Sequence, residues 1–130
     1  MIHGIGTDIV DIARIRRFLE RHGERAAQRI LAQRELEGFS AAREPAAFLA
    51  KRFAAKEAFS KAFGSGLQSP VTLHSVAVDH DDQGKPLLVY GSSLAALMRS
   101  RRLAAHLSLS DDVAFAIAFV VIECDFRNGP

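Results

Sequence analysis

The chain has little cysteine, no long apolar run and no low-complexity stretch. Its single cysteine, Cys124, excludes an intrachain disulfide and a cysteine-based zinc site. No run of apolar residues is long enough to span a bilayer and no leader pattern is visible, so no membrane partner and a cytoplasmic location are expected. Without a linker, residues 1–130 are expected to form a single domain, large enough to bury a core by itself. Nucleotide-fold signatures are missing too. Gly4-x-Gly6 lacks the third small residue of a dinucleotide fingerprint, because Ile9 stands there. Gly84-Lys85 is followed by Pro86 and lacks the other residues of a phosphate-binding loop. Neither sign of charge dominates, with 17 Lys+Arg against 15 Asp+Glu. The cations are unevenly placed, which suits an anionic ligand or acidic partner and does not demand nucleic acid.

The chain is organised around the stretch from Phe48 to Gly64, rich in Ala, Lys and Glu with no interior Gly or Pro. This composition predicts a helix, with Pro45 in its first turn and Gly64 at its C-terminal cap. Its wheel is unusual. Arg52 and Lys56 fall on the same side as Phe48, Phe59 and Phe63, while Glu57 and Lys61 make an i,i+4 pair elsewhere. Either the two cations lie along the aromatics with their charges in water, or the helix carries a carboxylate and several cations toward a polyanion.

Ile2 to Val10 reads as a strand, and two glycines in a strand signal the close approach of another backbone or a ligand. Asp11 is a candidate cap for a helix ending before Gly23, with Ile12, Ile15 and Leu19 buried. Arg14, Arg17 and Arg21 form a second stripe on it, flanked by Phe18 and continued by Arg25 and Arg29. A stripe of one sign with an aromatic in reach points to an acidic protein partner; the plain alternative is a solvated face. Short helices are expected over Ala26–Leu31 and Gln33–Gly38. A hairpin of Val71–Val78 and Leu87–Tyr90 follows, then a helix capped by Ser92 or Ser93. Two closing strands come last. In the first, His106, Ser108 and Ser110 share a face. The second, within Val113–Glu123, is nearly all apolar and reads as a central strand buried on both faces. Asp8 and Glu57 are hard oxygen ligands of the kind that hold Mg²⁺ together with phosphate oxygens; their plain readings are a turn residue and half of an ion pair.

The segments Gly4–Val10, Phe48–Gly66, Gly84–Pro86 and His106–Ser110 together resemble the holo-acyl-carrier-protein synthases, the short bacterial type of 4′-phosphopantetheinyl transferase. The resemblance runs from end to end in the same order; the central motif is long and specific, the others are weak alone. It implies an α+β fold, a mainly antiparallel sheet packed on a long central helix. It implies transfer of 4′-phosphopantetheine from coenzyme A to a serine of apo acyl carrier protein, in support of fatty acid synthesis, with release of adenosine 3′,5′-bisphosphate. On that resemblance Asp8 and Glu57 hold Mg²⁺ and, with Lys61, form the catalytic set. Coenzyme A is met by Arg52, Lys56, Lys61, Gly64, Gly66, His106 and Ser108, and the carrier by Arg14, Arg17, Phe18, Arg21 and Arg25. The short members are trimers, with His106 reaching the neighbour's cleft. Asp111 departs from the pattern, since many members have His there. The rival of a different class is a nonenzymatic basic module for acidic protein or nucleic acid, which explains the arginines but gives Asp8 and Glu57 no role.

Overall fold

In the computed structural model, residues 1–125 are described. Strand β1 (Ile2–Asp11) leads into helices α1 (Ile12–His22) and α2 (Glu24–Ile30), a 3₁₀ turn (Gln33–Glu35), α3 (Leu36–Ala41) and the long α4 (Pro45–Phe63). A hairpin of β2 (Val76–His80) and β3 (Pro86–Tyr90), helix α5 (Ser92–Ser100), and strands β4 (Leu103–Asp111) and β5 (Phe115–Cys124) complete the fold. One antiparallel sheet has the order β1-β5-β4; the β2-β3 hairpin is separate, and antiparallel as well.

Helix α4 is the hub. Residues on nearly all its sides are buried, among them Leu49, Ala50, Ala54, Ala58, Phe59 and Ala62. Its alanines allow a close approach to the sheet, where Ala116 and Ala118 of β5 are fully buried. The β1 glycines have the same purpose. A Cβ on Gly4 would overlap the Ala62 carbonyl, and one on Gly6 the Ala58 carbonyl. The close neighbour that the two glycines announced is therefore the backbone of α4.

The caps follow the local chemistry. Asp11 Oδ1 accepts from Ala13 N at 2.9 Å and opens α1. Gly64, at φ 102°, closes α4. Three expectations are corrected. Val71–Ser75 is not strand: Thr72 and Ser75 bond each other's backbone N–H at 2.8 and 3.2 Å, which draws the chain into turns until Val76. Helix α5 is capped by Gly91 without a side-chain bond, not by Ser92 or Ser93. Strand β5 is central but buried on one face only. Phe115, Ile117 and Phe119 are 43, 42 and 44% exposed on the other, beside Ile5 and Ile9 of β1 at 58 and 61%.

Candidate active site

The strand–helix contact that the glycines permit brings Asp8 against α4. Lys61 Nζ lies 3.1 Å from Asp8 Oδ1 and donates to the Thr7 carbonyl oxygen at 3.0 Å. The Lys61 ammonium is thus tied to β1, in place of the i,i+4 pair expected with Glu57. One turn back, the Glu57 carboxyl is pushed above the usual glutamate range, first by partial burial and then by the neighbouring Asp8 charge; Lys61 opposes the shift. A partly buried carboxyl whose ionisation is opposed by a neighbouring carboxylate makes a site prepared for a cation.

Asp8 and Glu57 line a groove of about 860 Å³ together with the α1 stripe: Arg14, Arg17, Phe18 and Arg21 all face it. A carboxylate pair and a cationic wall in one cleft is an arrangement for a phosphate-bearing substrate and an acidic partner. Residues not anticipated for the site also line it. Arg29 was legible as a continuation of the basic run; His22, tilted against Phe18 with ring centroids 4.9 Å apart, and Phe53 gave no signal. Arg25 is exposed on α2, outside the lining.

The remaining site residues fall elsewhere. Gly64 and Gly66 sit just past Lys61 with φ of 102° and 67° and open space where a side chain would be. His106 and Ser108 lie on the exposed side of β4, and His106 Nε2 is 2.9 Å from Glu123 Oε2. A single chain does not bring them to the groove. Asp111 Oδ1 lies 3.7 Å from Lys51 Nζ, so a cation faces its charge.

Arg52 and Lys56 require correction as coenzyme A ligands. Lys56 is 0% exposed. Its Nζ donates to Glu35 Oε1 at 2.6 Å, to the Ile30 carbonyl at 2.7 Å and to the Leu73 carbonyl at 2.8 Å. Arg52 packs over the Phe48 ring at 3.7 Å, with Nε 3.4 Å from Glu35 Oε2. Their charges are neither in water nor turned to a ligand. The cause is the burial of α4 on nearly all sides, which leaves no solvent face beside Arg52 and Lys56 to snorkel to. Glu35, the buried partner of both, sat in an unremarkable short helix of the sequence.

Among the described residues no cluster of three or more His, Cys, Asp or Glu forms. A cation here would have Asp8 and Glu57 from the chain and would take its other ligands from substrate oxygens and water. Among the described residues no helix is long and apolar enough to cross a membrane.

The model of the 4′-phosphopantetheinyl transferase superfamily matches residues 4–119. A holo-(acyl-carrier-protein) synthase of Aromatoleum aromaticum is 63% identical over 123 residues, 95% of this chain and 98% of its own. Its counterpart in an Azoarcus species is 65% identical with the same coverage. The crystal structure of the synthase from Neisseria meningitidis, 44% identical, superposes with a TM-score of 0.91 over 95% of this chain and 99% of that one. The synthase from Bacillus anthracis, in complex with CoA (3′,5′-ADP), is 37% identical with a TM-score of 0.81 over 96% and 99%. With relatives this similar over nearly the whole length and a family match that spans both groove carboxylates, the chain belongs to the 4′-phosphopantetheinyl transferase superfamily, among its holo-(acyl-carrier-protein) synthases.

Proposed function

We propose that this enzyme transfers 4′-phosphopantetheine from coenzyme A to a serine of apo acyl carrier protein in the cytoplasm, with Mg²⁺ held by Asp8 and Glu57. The observation that carries the reading is the groove that holds both carboxylates beneath a wall of arginines. Oxygen donors of this kind fit Mg²⁺, which leaves most of its shell to phosphate and water. When bound, the ion would supply positive charge where negative charge builds on the phosphoryl oxygens.

The chain's own groups account for the rest. The serine Oγ forms a bond to the β-phosphorus of coenzyme A, and the bond from that phosphorus to the bridging oxygen breaks. Adenosine 3′,5′-bisphosphate leaves with the electron pair. Lys61, fixed by Asp8 and the Thr7 carbonyl, is placed to face charge on the phosphates. We assign the serine proton to a Glu57 carboxylate oxygen. It lines the groove that the carrier's serine would enter. The carrier's acidic surface docks on Arg14, Arg17 and Arg21, around Phe18.

The bare sheet face of Ile5, Ile9, Phe115, Ile117 and Phe119 supports self-association, and the family resemblance makes the assembly a cyclic homotrimer in which three such faces cover one another. His106 and Ser108 share that side of the sheet, so assembly would carry them toward a neighbour's groove. The deciding experiment incubates the protein with apo carrier protein, coenzyme A and Mg²⁺ and reads the carrier's intact mass. A gain of one phosphopantetheine, abolished by chelator, is expected. An unchanged carrier mass overturns the reading.

A further inference from the structure

We infer that Lys56 is a positioning residue, a buried clamp whose ammonium ties two walls of the groove to α4 and so sets where the carrier protein meets Glu57. The inference rests on the proposed function for the identity of the carrier. The geometry is independent of it. An ammonium has three N–H bonds, and Lys56 Nζ directs them at three acceptors: the Ile30 carbonyl, the Leu73 carbonyl and Glu35 Oε1. None is left for a substrate. Ile30 ends α2 and Leu73 precedes β2; both line the groove that holds Asp8 and Glu57. The residue after Lys56 is Glu57 itself, so the clamp and the candidate base share one turn of α4.

Glu35 completes the device from below. Its Oε1 also accepts from Ala32 N at 2.8 Å and its Oε2 from Val78 N at 2.9 Å. The carboxylate thereby joins the start of the 3₁₀ turn to β2. Burial pulls the Lys56 ammonium below the usual lysine range and the Glu35 charge opposes that shift. A buried pair of this kind is weak evidence for net stability. Two carbonyls from the groove walls on one ammonium are what the pair adds beyond an apolar core.

The test separates clamp from charge. Lys56→Met keeps the volume and removes both carbonyl bonds. Glu35→Gln removes the carboxylate charge and leaves Lys56 Nζ able to donate to the Ile30 and Leu73 carbonyls. Should Lys56→Met fail to fold with Glu35 left unpaired, Glu35→Gln/Lys56→Met removes both charges and still lacks the clamp. Each variant is measured well below its Tm for amide exchange, apo-carrier affinity by anisotropy, and kcat and KM. Loss of the clamp should speed exchange of the amides around residues 30–32 and 73–75, and should weaken carrier affinity and kcat by about tenfold or more, as small misplacements do. KM for coenzyme A should move far less. Glu35→Gln should retain carrier binding even where its Tm falls as much. Exchange unchanged by Lys56→Met, or function lost in proportion to Tm in every variant, would overturn the clamp. Absence of transfer by the wild-type protein instead overturns the proposed function, and the exchange arm still decides whether the clamp exists.

Discussion

Burial and the Asp8 charge raise the cost of ionising Glu57, which gives the site both a function and a weakness. Loss of either carboxylate should reduce turnover by about 10²-fold or more, as removal of a charge-stabilising group does; steady-state kinetics of Asp8→Ala and Glu57→Ala, with circular dichroism to verify folding, check this. Stability should move the other way at Glu57. Its carboxyl is raised in the folded protein, so the fold binds that proton more tightly than the unfolded chain. The stability this contributes is fully present below the ordinary glutamate pKa and is lost as pH rises through the raised value. Glu57→Gln removes the ionisation, so without metal at pH 7.5 it should melt about 1–4 °C above wild type. The gap should close as the pH falls below the glutamate range. Thermal melts across pH test it, and a gap that does not change with pH would overturn it.

At the scale of elements, the site depends on how closely β1 lies on α4. Gly6 faces the Ala58 carbonyl with no room for a Cβ, and a backbone carbonyl cannot turn away as a side chain can. Gly6→Ala should therefore cost about 3 kcal/mol or more, well above an ordinary surface change; chemical denaturation gives the value, and a loss under about 1 kcal/mol would mean that strand and helix separate easily. Helix α1 contributes charge instead of packing. Arg14 and Arg21 are exposed at the groove. Charge reversal at either should raise the carrier's Kd about tenfold, with an effect that fades at high salt, while coenzyme A affinity stays nearly constant. Salt-dependent binding isotherms distinguish this from a merely solvated stripe, for which carrier affinity would not change.

At the scale of the molecule, one sheet face carries α4 and the other is bare, apolar along Ile5, Ile9, Phe115, Ile117 and Phe119. Phe119→Asp places a charge in the middle of that face, between Thr7 and Ser108 in register. It should convert a trimer to monomers in light scattering without unfolding the chain. The proposed sharing of sites between subunits makes a stronger prediction. Asp8→Ala and His106→Ala subunits, each poorly active, should restore activity when unfolded and refolded together. Each boundary draws one intact member from each side half the time, so roughly a quarter of wild-type activity should return. No rescue after verified exchange would place every group of the site within one chain.

Much of this was determined by local sequence. The α4 composition with Pro45 and Gly64, the Asp11 cap, and the glycines of β1 each act through bonds or contacts within a few residues, or forbid a side chain outright, so they can be read without a fold. The pairing of Asp8 with Glu57 was legible through the family resemblance and through their shared chemistry as hard ligands. Only the tertiary structure decided what the cations of α4 do. A helical wheel assumes one face in water, and α4 has almost none. Arg52 and Lys56 were therefore drawn inward to Glu35, 21 residues before Lys56, which no periodicity connects to them. Strand β5 marks the converse limit. Its apolar run specifies burial on two faces, but a single chain covers one, because hydrophobicity says how much surface must leave water and not which molecule will cover it.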